Sequence, residues 1–264
     1  MALDPCAAIP MLDEAIVHEK PSSTADKIVP TEATHEGVRI VARHEYKEAA
    51  ACLAEAFRRD NVVRYAIDTP DRRHLTEAER FELHRAALEY VTYAHSLNGL
   101  VLTAGENYDC VALWLPPGKN IDDWLTILRS GMWRLSYMLS KEGKIRFFDE
   151  FLPLLHDTKQ EVLGERDAQS WYLNHVGTKP EARGKGYARK VIQYVTKLAD
   201  GQGLPCYLES SHDINMVIYG KLGFDVRKQI FLKRAAGMEL RMDVMVREPV
   251  TREKNSKTEL PKAA

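Results

Sequence analysis

Val176-Gly177-Thr178-Lys179-Pro180-Glu181-Ala182-Arg183-Gly184-Lys185-Gly186-Tyr187-Ala188 is the stretch whose reading decides the fold. It follows an apolar, strand-like segment beginning at Trp171, and it opens a helix. Two glycines one residue apart leave the backbone bare, so several successive N–H groups can point at one anion. The helix behind them adds the positive end of its dipole. Those are the requirements for holding a pyrophosphate. A glycine-rich turn before a helix is a weak signal alone, so the residues on either side have to decide.

Downstream, Lys185 to Asp200 carries Val191, Ile192, Val195 and Leu198 at helical spacing, and Gly201 and Gly203 stop the helix. A short strand, Cys206-Tyr207-Leu208-Glu209-Ser210, comes next. Asn215-Met216-Val217-Ile218-Tyr219-Gly220-Lys221-Leu222-Gly223-Phe224 then reads as a helix of a few turns, closed by glycine into another strand. The order is strand, Arg-x-x-Gly-x-Ala-type loop, helix, strand, and Asn-x-x-x-Tyr-x-Lys-Leu-Gly-Phe.

That order resembles the acetyl-coenzyme A site of the GNAT superfamily of N-acetyltransferases. Leu208-Glu209-Ser210-Ser211 is also similar to a strand of puromycin N-acetyltransferase and its relatives. The likeness covers about Trp171 to Val226, and it does not carry a substrate with it.

The rest of the chain sets bounds. Its 264 residues suffice for one decorated domain with a full core. A net charge of −1 offers no field to recruit nucleic acid or an anionic membrane, so neither is expected as a partner. Cys6, Cys52, Cys110 and Cys206 are scattered without metal-ligand spacing, so no metal is expected and the thiols read as reduced. With no signal-like or membrane-spanning run, the expected location is the cytoplasm, with the nucleus as alternative.

Residues 1–36 carry four prolines and seven Asp or Glu against two Lys, and read as a flexible acidic arm. Residues 37–247 read as the folded domain, and 248–264 as a charged tail. Within the domain, Val38–Val41 is a strand, Tyr46–Phe57 a helix, and Thr76–Ser96 a second helix opened by a Thr76/Glu79 capping box. Leu100–Ala104 and Cys110–Leu115 form a hairpin. Between them and Trp171 lies an insertion at about 119–165. In it Ile121, Trp124, Leu125, Leu128, Met132, Leu135 and Leu139 predict one amphipathic helix. Ile145, Phe148, Phe151, Leu152 and Leu155 predict a second, kinked at Pro153. The pair either completes the core or walls an acceptor pocket. The last strands are Asp225–Leu232 and Met238–Val246, the second alternating strictly and so buried on one face. The expected fold class is α/β (α+β), with a mixed sheet of six to seven strands and helices on both faces. The resemblance adds that the parallel central strands splay apart.

The resemblance also implies roles. Acetyl-CoA would be the cosubstrate and the amine of a small molecule the acceptor, the enzyme working as monomer or homodimer. Val176, Gly177 and Thr178 would pair with the pantetheine arm, the N–H of Val176 or Gly177 facing the oxyanion. Arg183, Gly184, Lys185, Gly186, Tyr187 and Ala188 would wrap the pyrophosphate, and Asn215 would contact the pantetheine amide. Tyr219 would protonate the leaving thiolate. Glu209 is the expected base, with His175, His212 or an ordered water as alternatives. A protein lysine or N-terminal acetyltransferase, an O-acetyltransferase and a non-catalytic acyl-CoA sensor stay open.

Overall fold

A computed structural model gives the fold and describes residues 34–235 and 239–250. Most of the arm expected over 1–36 and of the tail over 248–264 lies outside these residues. The elements run β1 (Thr34–His35), β2 (Val38–Ile40), α1 (Tyr46–Ala56), α2 (Asn61–Ile67), α3 (Glu77–Asn98), β3 (Leu100–Ala104) and β4 (Cys110–Leu115). The insertion follows as α4 (Trp124–Ser130), α5 (Leu135–Met138), α6 (Lys141–Lys144) and α7 (Leu152–Leu163). The chain closes with β5 (Trp171–Thr178), α8 (Tyr187–Gln202), β6 (Cys206–Ser210), α9 (Asp213–Gly220), β7 (Asp225–Leu232) and β8 (Leu240–Arg247).

The strands form one mixed sheet in the order β1-β2-β3-β4-β5-β6-β8-β7. The seven strands expected from the sequence are all present, and the two-residue β1 is an eighth. Among the described strands, β5 and β6 are the parallel pair, and they pair from Trp171 to Leu173 against Cys206 to Leu208. Beyond Leu173 the two strands part, and this fork is what positions the site.

Small residues decide how helices meet the sheet. Ala49, Ala50 and Leu53 of α1 are fully buried, and a Cβ at Gly177 would lie 2.7 Å from Ala56 Cβ and 3.1 Å from Leu53 Cδ2. Gly177 is therefore the contact that lets α1 lie against β5. One core forms where Leu53, Leu88, Val101, Val111 and Leu113 meet between α1, α3 and the sheet. A second gathers Tyr65 of α2 and Leu163 of α7 over Tyr207, Ile230, Met242 and Val244. The expected capping box at Thr76 is present, its side chain and that of Glu79 exchanging bonds with the first turn of α3.

Three expectations are corrected. The single helix from Ile121 to Leu139 is broken. Asp123 caps α4 at Thr126 N–H, Gly131 ends it in the left-handed region (φ 82°), and a 3₁₀ turn (Met132–Arg134) precedes α5. Each short piece then sets its own face, so Trp124 (75% exposed) and Leu128 (58%) lie on the surface although they share a helical stripe with buried Leu135. The second predicted helix instead runs from α6 through a π segment (Ile145–Phe151) into α7, with Leu152 N–H reaching back five residues to Phe147 O. That wider turn sits immediately before Pro153, which has no N–H to give. Finally, β8 is buried along nearly its whole length rather than on one face: Met242, Val244 and Val246 enter the core with Tyr65 and Leu163, and on the other face Arg247 reaches Asp200 of α8 and Leu222 O after α9. The expected start at Met238 lies outside the described residues.

Candidate active site

The glycine loop is built by conformation. β5 ends at Thr178, a 3₁₀ turn spans Pro180–Ala182, and Gly184 and Gly186 take left-handed φ angles of 80° and 77°. A Cβ at either would meet nothing within 4 Å, so the backbone angle, not crowding, calls for glycine. Gly186 is the N-cap of α8 and brings no side-chain cap, and the first intrahelical bond runs from Lys190 N–H to Gly186 O. The N–H groups of Tyr187, Ala188 and Arg189 thus head a sixteen-residue helix with its dipole behind them. Lys185 is exposed. Arg183 turns back instead, its Nε 3.4 Å from Thr178 O and an Nη 3.5 Å from Ala56 O.

The register of β4 against β5 sorts the strand's backbone groups. Lys179 N–H bonds to Asp109 O (2.9 Å), and the pairs Cys110–Thr178, Val111–Gly177 and Ala112–Val176 follow. Antiparallel pairs alternate, so Gly177 exchanges its bonds with Val111 while the main chains of Val176 and Thr178 turn away from β4, to the side β6 has left. Of the two candidate oxyanion donors, Val176 is the one that faces the fork. A bulge makes this possible: Leu113 opposes His175 and Trp114 opposes Leu173, which leaves Asn174 as the extra residue.

Two side-chain groups flank the fork. On α9, Tyr219 is 8% exposed and lies edge-on to Phe224 at 5.9 Å, one helical turn beyond half-buried Asn215. Burial, reinforced by the nearby Cys110 thiol, raises its pKa above the usual phenol range, so the hydroxyl keeps its proton. On β6, Glu209 accepts a hydrogen bond from the Tyr172 hydroxyl at its Oε2 (2.9 Å), and the Tyr207 hydroxyl lies beside the same carboxyl group. Burial raises the Glu209 pKa to about 7 against the lowering pull of Tyr172, Tyr207 and Lys159. Cys110 is the neighbour that Tyr219 senses and the tyrosine pair with Lys159 those that Glu209 senses, so the two groups form separate clusters.

The two histidines divide. His175 packs edge-on against Phe57 of α1 at 5.5 Å with Nδ1 2.5 Å from Asn174 Oδ1, and burial holds its pKa down at about 3. It is a neutral core group and does not titrate near neutrality. His212 is exposed at the start of α9, and its Nε2 lies 3.2 Å from Asp60 Oδ2, which also accepts from Ser211 Oγ at 3.1 Å. Asp60 is 6% exposed and caps α2 at Val62 N–H (2.8 Å). Sequence reasoning missed Asp60, Tyr172 and Tyr207. Asp60 before Asn61-Val62-Val63 is a legible cap, but its partners lie some 150 residues away, and nothing local announces them.

Comparison with known proteins gives this geometry its family. Residues 149–224, which span the fork, the glycine loop and α9, match the model of the acetyltransferase (GNAT) family. An uncharacterized N-acetyltransferase of Schizosaccharomyces pombe is 46% identical over 221 residues, 83% of this chain and 86% of that protein. Among solved structures, histone acetyltransferase HPA2 and related acetyltransferase from Corynebacterium glutamicum superposes with a TM-score of 0.53 at 20% identity, over 81% of this chain and 97% of that one. Arylalkylamine N-acetyltransferase 2 from Aedes aegypti gives 0.52 at 16% identity, over 80% and 97%. These structural likenesses speak for the fold, and the yeast relative extends the kinship over most of the sequence. With fork, loop and relatives in agreement, the chain belongs to the GNAT family of acetyltransferases.

Proposed function

We propose that this enzyme moves the acetyl group of acetyl-CoA to the amine of a small molecule, by direct attack within a ternary complex. The observation that carries the reading is the fork. One arm offers backbone groups at Val176 and Thr178, the other carries Glu209 next to its last residue, and a helix start without a side-chain cap follows the first arm. The thioester would lie in the fork with its pyrophosphate on Arg183, Gly184, Lys185, Gly186, Tyr187 and Ala188. Asn215 would hold a pantetheine amide. Gly177 would act through packing, by seating α1 beneath the strand.

The chemistry follows from the protonation states. An amine attacking the thioester carbon forms a C–N bond and gives up a proton, which Glu209 accepts, directly or through water. The tetrahedral oxygen takes the Val176 N–H. As the C–S bond breaks, Tyr219 protonates the thiolate. A carboxyl with its pKa near 7 and a phenol that stays protonated suit those two tasks at neutral pH.

A small acceptor is favoured over a peptide because the insertion packs against the Glu209 side. Ile121 joins a small cluster with Ala94 and Leu115 against which both Met132 and Tyr172 pack, and Phe151, Leu154 and Leu155 lie against the core that contains Tyr207. Structural neighbours are named for arylalkylamines, polyamines and histones alike, so the fold leaves the acceptor open. The narrower likeness to puromycin N-acetyltransferase rests on Leu208-Glu209-Ser210-Ser211 alone. A cytoplasmic or nuclear location belongs to the same proposal; no helix among the described residues is long and apolar enough to cross a membrane.

Release of free CoA thiol from acetyl-CoA, measured over aminonucleosides, polyamines, arylalkylamines, amino acids and a lysine peptide, tests the reading. We expect turnover on a small amine, reduced about a hundredfold or more in Tyr219→Phe. Turnover on the peptide alone would transfer the reading to a protein acceptor. Acetyl-CoA binding with no turnover on any acceptor and no slow hydrolysis would make the chain a sensor.

A further inference from the structure

Two of the site residues, Asn215 and Tyr219, ride on α9, a helix with little to hold it along its length. It has eight residues, of which Tyr219 is the buried one, while Ile214, Val217 and Ile218 are exposed. A free helix so short is marginal in water, and one buried side chain supplies little packing to fix its direction. The position of Tyr219 is therefore set at the two ends of α9. At the C-terminal end, Phe224 N–H bonds back to Tyr219 O at 3.1 Å, and Arg247 holds Leu222 O. At the N-terminal end, Asp213 pairs with Arg241 on the surface, where an ion pair contributes little. The remaining tie at that end is Asp60.

Asp60 divides its carboxylate between two tasks. Oδ1 caps α2, accepting from Val62 N–H at 2.8 Å and Val63 N–H at 3.3 Å. Oδ2 faces the turn that opens α9, where it accepts from Ser211 Oγ at 3.1 Å and lies 3.2 Å from His212 Nε2. Asp60 is buried, so water competes little for these contacts. It stands four residues beyond the end of α1, the helix seated on β5 at Gly177, and Ser211 follows the last residue of β6. The contact thus spans the open end of the fork, from the β5 side to the β6 side.

We propose that Asp60 is a positioning residue for acetyl transfer: its Oδ2 clasps Ser211 and His212, and through them fixes α9 so that the Tyr219 hydroxyl meets the leaving thiolate. The inference rests on the acetyl-transfer reading of this site and adds to it a residue that acts through another. Tyr219 lies two helical turns beyond His212, and a helix carries a displacement of its first turn along its axis. A misplacement of about 1 Å at a reacting group can cost about a hundredfold in rate.

Asp60→Ser separates the two tasks. Serine caps a helix about as well as aspartate, but its single oxygen is taken by the cap and none remains for the clasp. Fluorine NMR of the full chain labelled with 3-fluorotyrosine reads Tyr219 directly, with Tyr219→Phe assigning the resonance. We expect Asp60→Ser, and Ser211→Ala from the other side, to move that resonance, and Asp60→Ser to lower kcat on an accepted amine about tenfold. In a Tyr219→Phe background the same substitution should cost less than about twofold, because the group being positioned is gone. A Tyr219 resonance unmoved by both substitutions, or a loss in the double variant equal to the product of the single losses, overturns the inference. The resonance is read without acetyl-CoA, so the two readings separate. A resonance moved by Asp60→Ser, with no turnover on any amine, would sink acetyl transfer and keep the clasp. Turnover lost in Tyr219→Phe, with resonance and kcat unchanged in Asp60→Ser, would do the reverse.

Discussion

Glu209 and Tyr219 are opposite solutions to one problem, that of holding a titratable group in the protonation state its step needs. Tyr219 is a phenol that burial keeps protonated, whereas Glu209 is a carboxyl that burial brings up to about 7. If Glu209 accepts the amine proton, its carboxylate form is the active one. The rate kcat/KM should therefore rise with pH through about 7, and this limb should vanish in Glu209→Gln, where the residual rate is about a hundredfold lower. A pH profile on any accepted amine checks it. Stability runs the other way. A carboxyl whose folded pKa lies above its unfolded value of 4.5 favours the folded state fully below 4.5, and loses that contribution as the pH climbs through about 7. Glu209→Gln should thus raise Tm at pH 8 while lowering activity, and a thermal melt at pH 8 against pH 5 reads the difference. At this scale the sequence announced the residues but not their states. Tyr219 and Glu209 stand in legible motifs, but Tyr172, which donates a hydrogen bond to the carboxylate, lies thirty-seven positions from it along the chain. His175 looked like a titrating candidate, and only the packing of Phe57 against it reveals a core imidazole.

Elements separate glycines that look alike in the sequence. Gly184 sits in open space at φ 80°, and Gly177 sits in extended backbone against Ala56 and Leu53 of α1. In Gly184→Ala the methyl group strains the left-handed backbone, by about 1–2 kcal/mol, and leaves the packing untouched. The loop should flatten, with KM for acetyl-CoA rising about tenfold and Tm nearly constant. In Gly177→Ala the methyl group meets Ala56 Cβ at 2.7 Å and pushes α1 off the strand, an overpacking cost of about 1–3 kcal/mol, so Tm falls. Melts and acetyl-CoA titrations on both variants check this, and equal behaviour would refute the division. The glycine loop was readable because its signal is local: a strand, two glycines and a helix in sequence. The insertion was not. Its apolar spacing was real, but Asp123 and Gly131 cut the periodic run into pieces whose separate orientations no pattern over 121–139 encodes.

The whole molecule depends on a fork that is open at one end and pinned at the other, and Arg247 is at the pinned end. It lies opposite Cys206 in the β6–β8 register, and Cys206 lies opposite Trp171, where β5 and β6 are still paired. Its guanidinium grips both carboxylate oxygens of Asp200 near the end of α8, at 2.7 and 2.8 Å, and donates to Leu222 O in the turn after α9, at 3.1 Å. One largely buried side chain therefore ties the last strand to the helices on either side of the fork. The two ion-paired oxygens are a geometry that arginine's planar fork matches and a shorter or apolar side chain does not. Arg247→Met should leave Asp200 without its bidentate partner and cost about 3 kcal/mol, the range for breaking a buried pair from one side. For a chain of this size that is a fall in Tm of roughly 6–12 °C. Because the tie lies at the closed end, loosening it should also let the arms shift, so acetyl-CoA should bind more weakly even well below the new Tm. The double variant Arg247→Met/Asp200→Leu, which removes both charges, should recover part of the lost stability, less whatever the Val250 N–H loses with its acceptor, Asp200 Oδ1 at 2.8 Å. A Tm restored together with acetyl-CoA affinity would mean that the closed end acts through charge balance. A Tm restored without affinity would mean that the guanidinium's bond to Leu222 O holds the two arms in register.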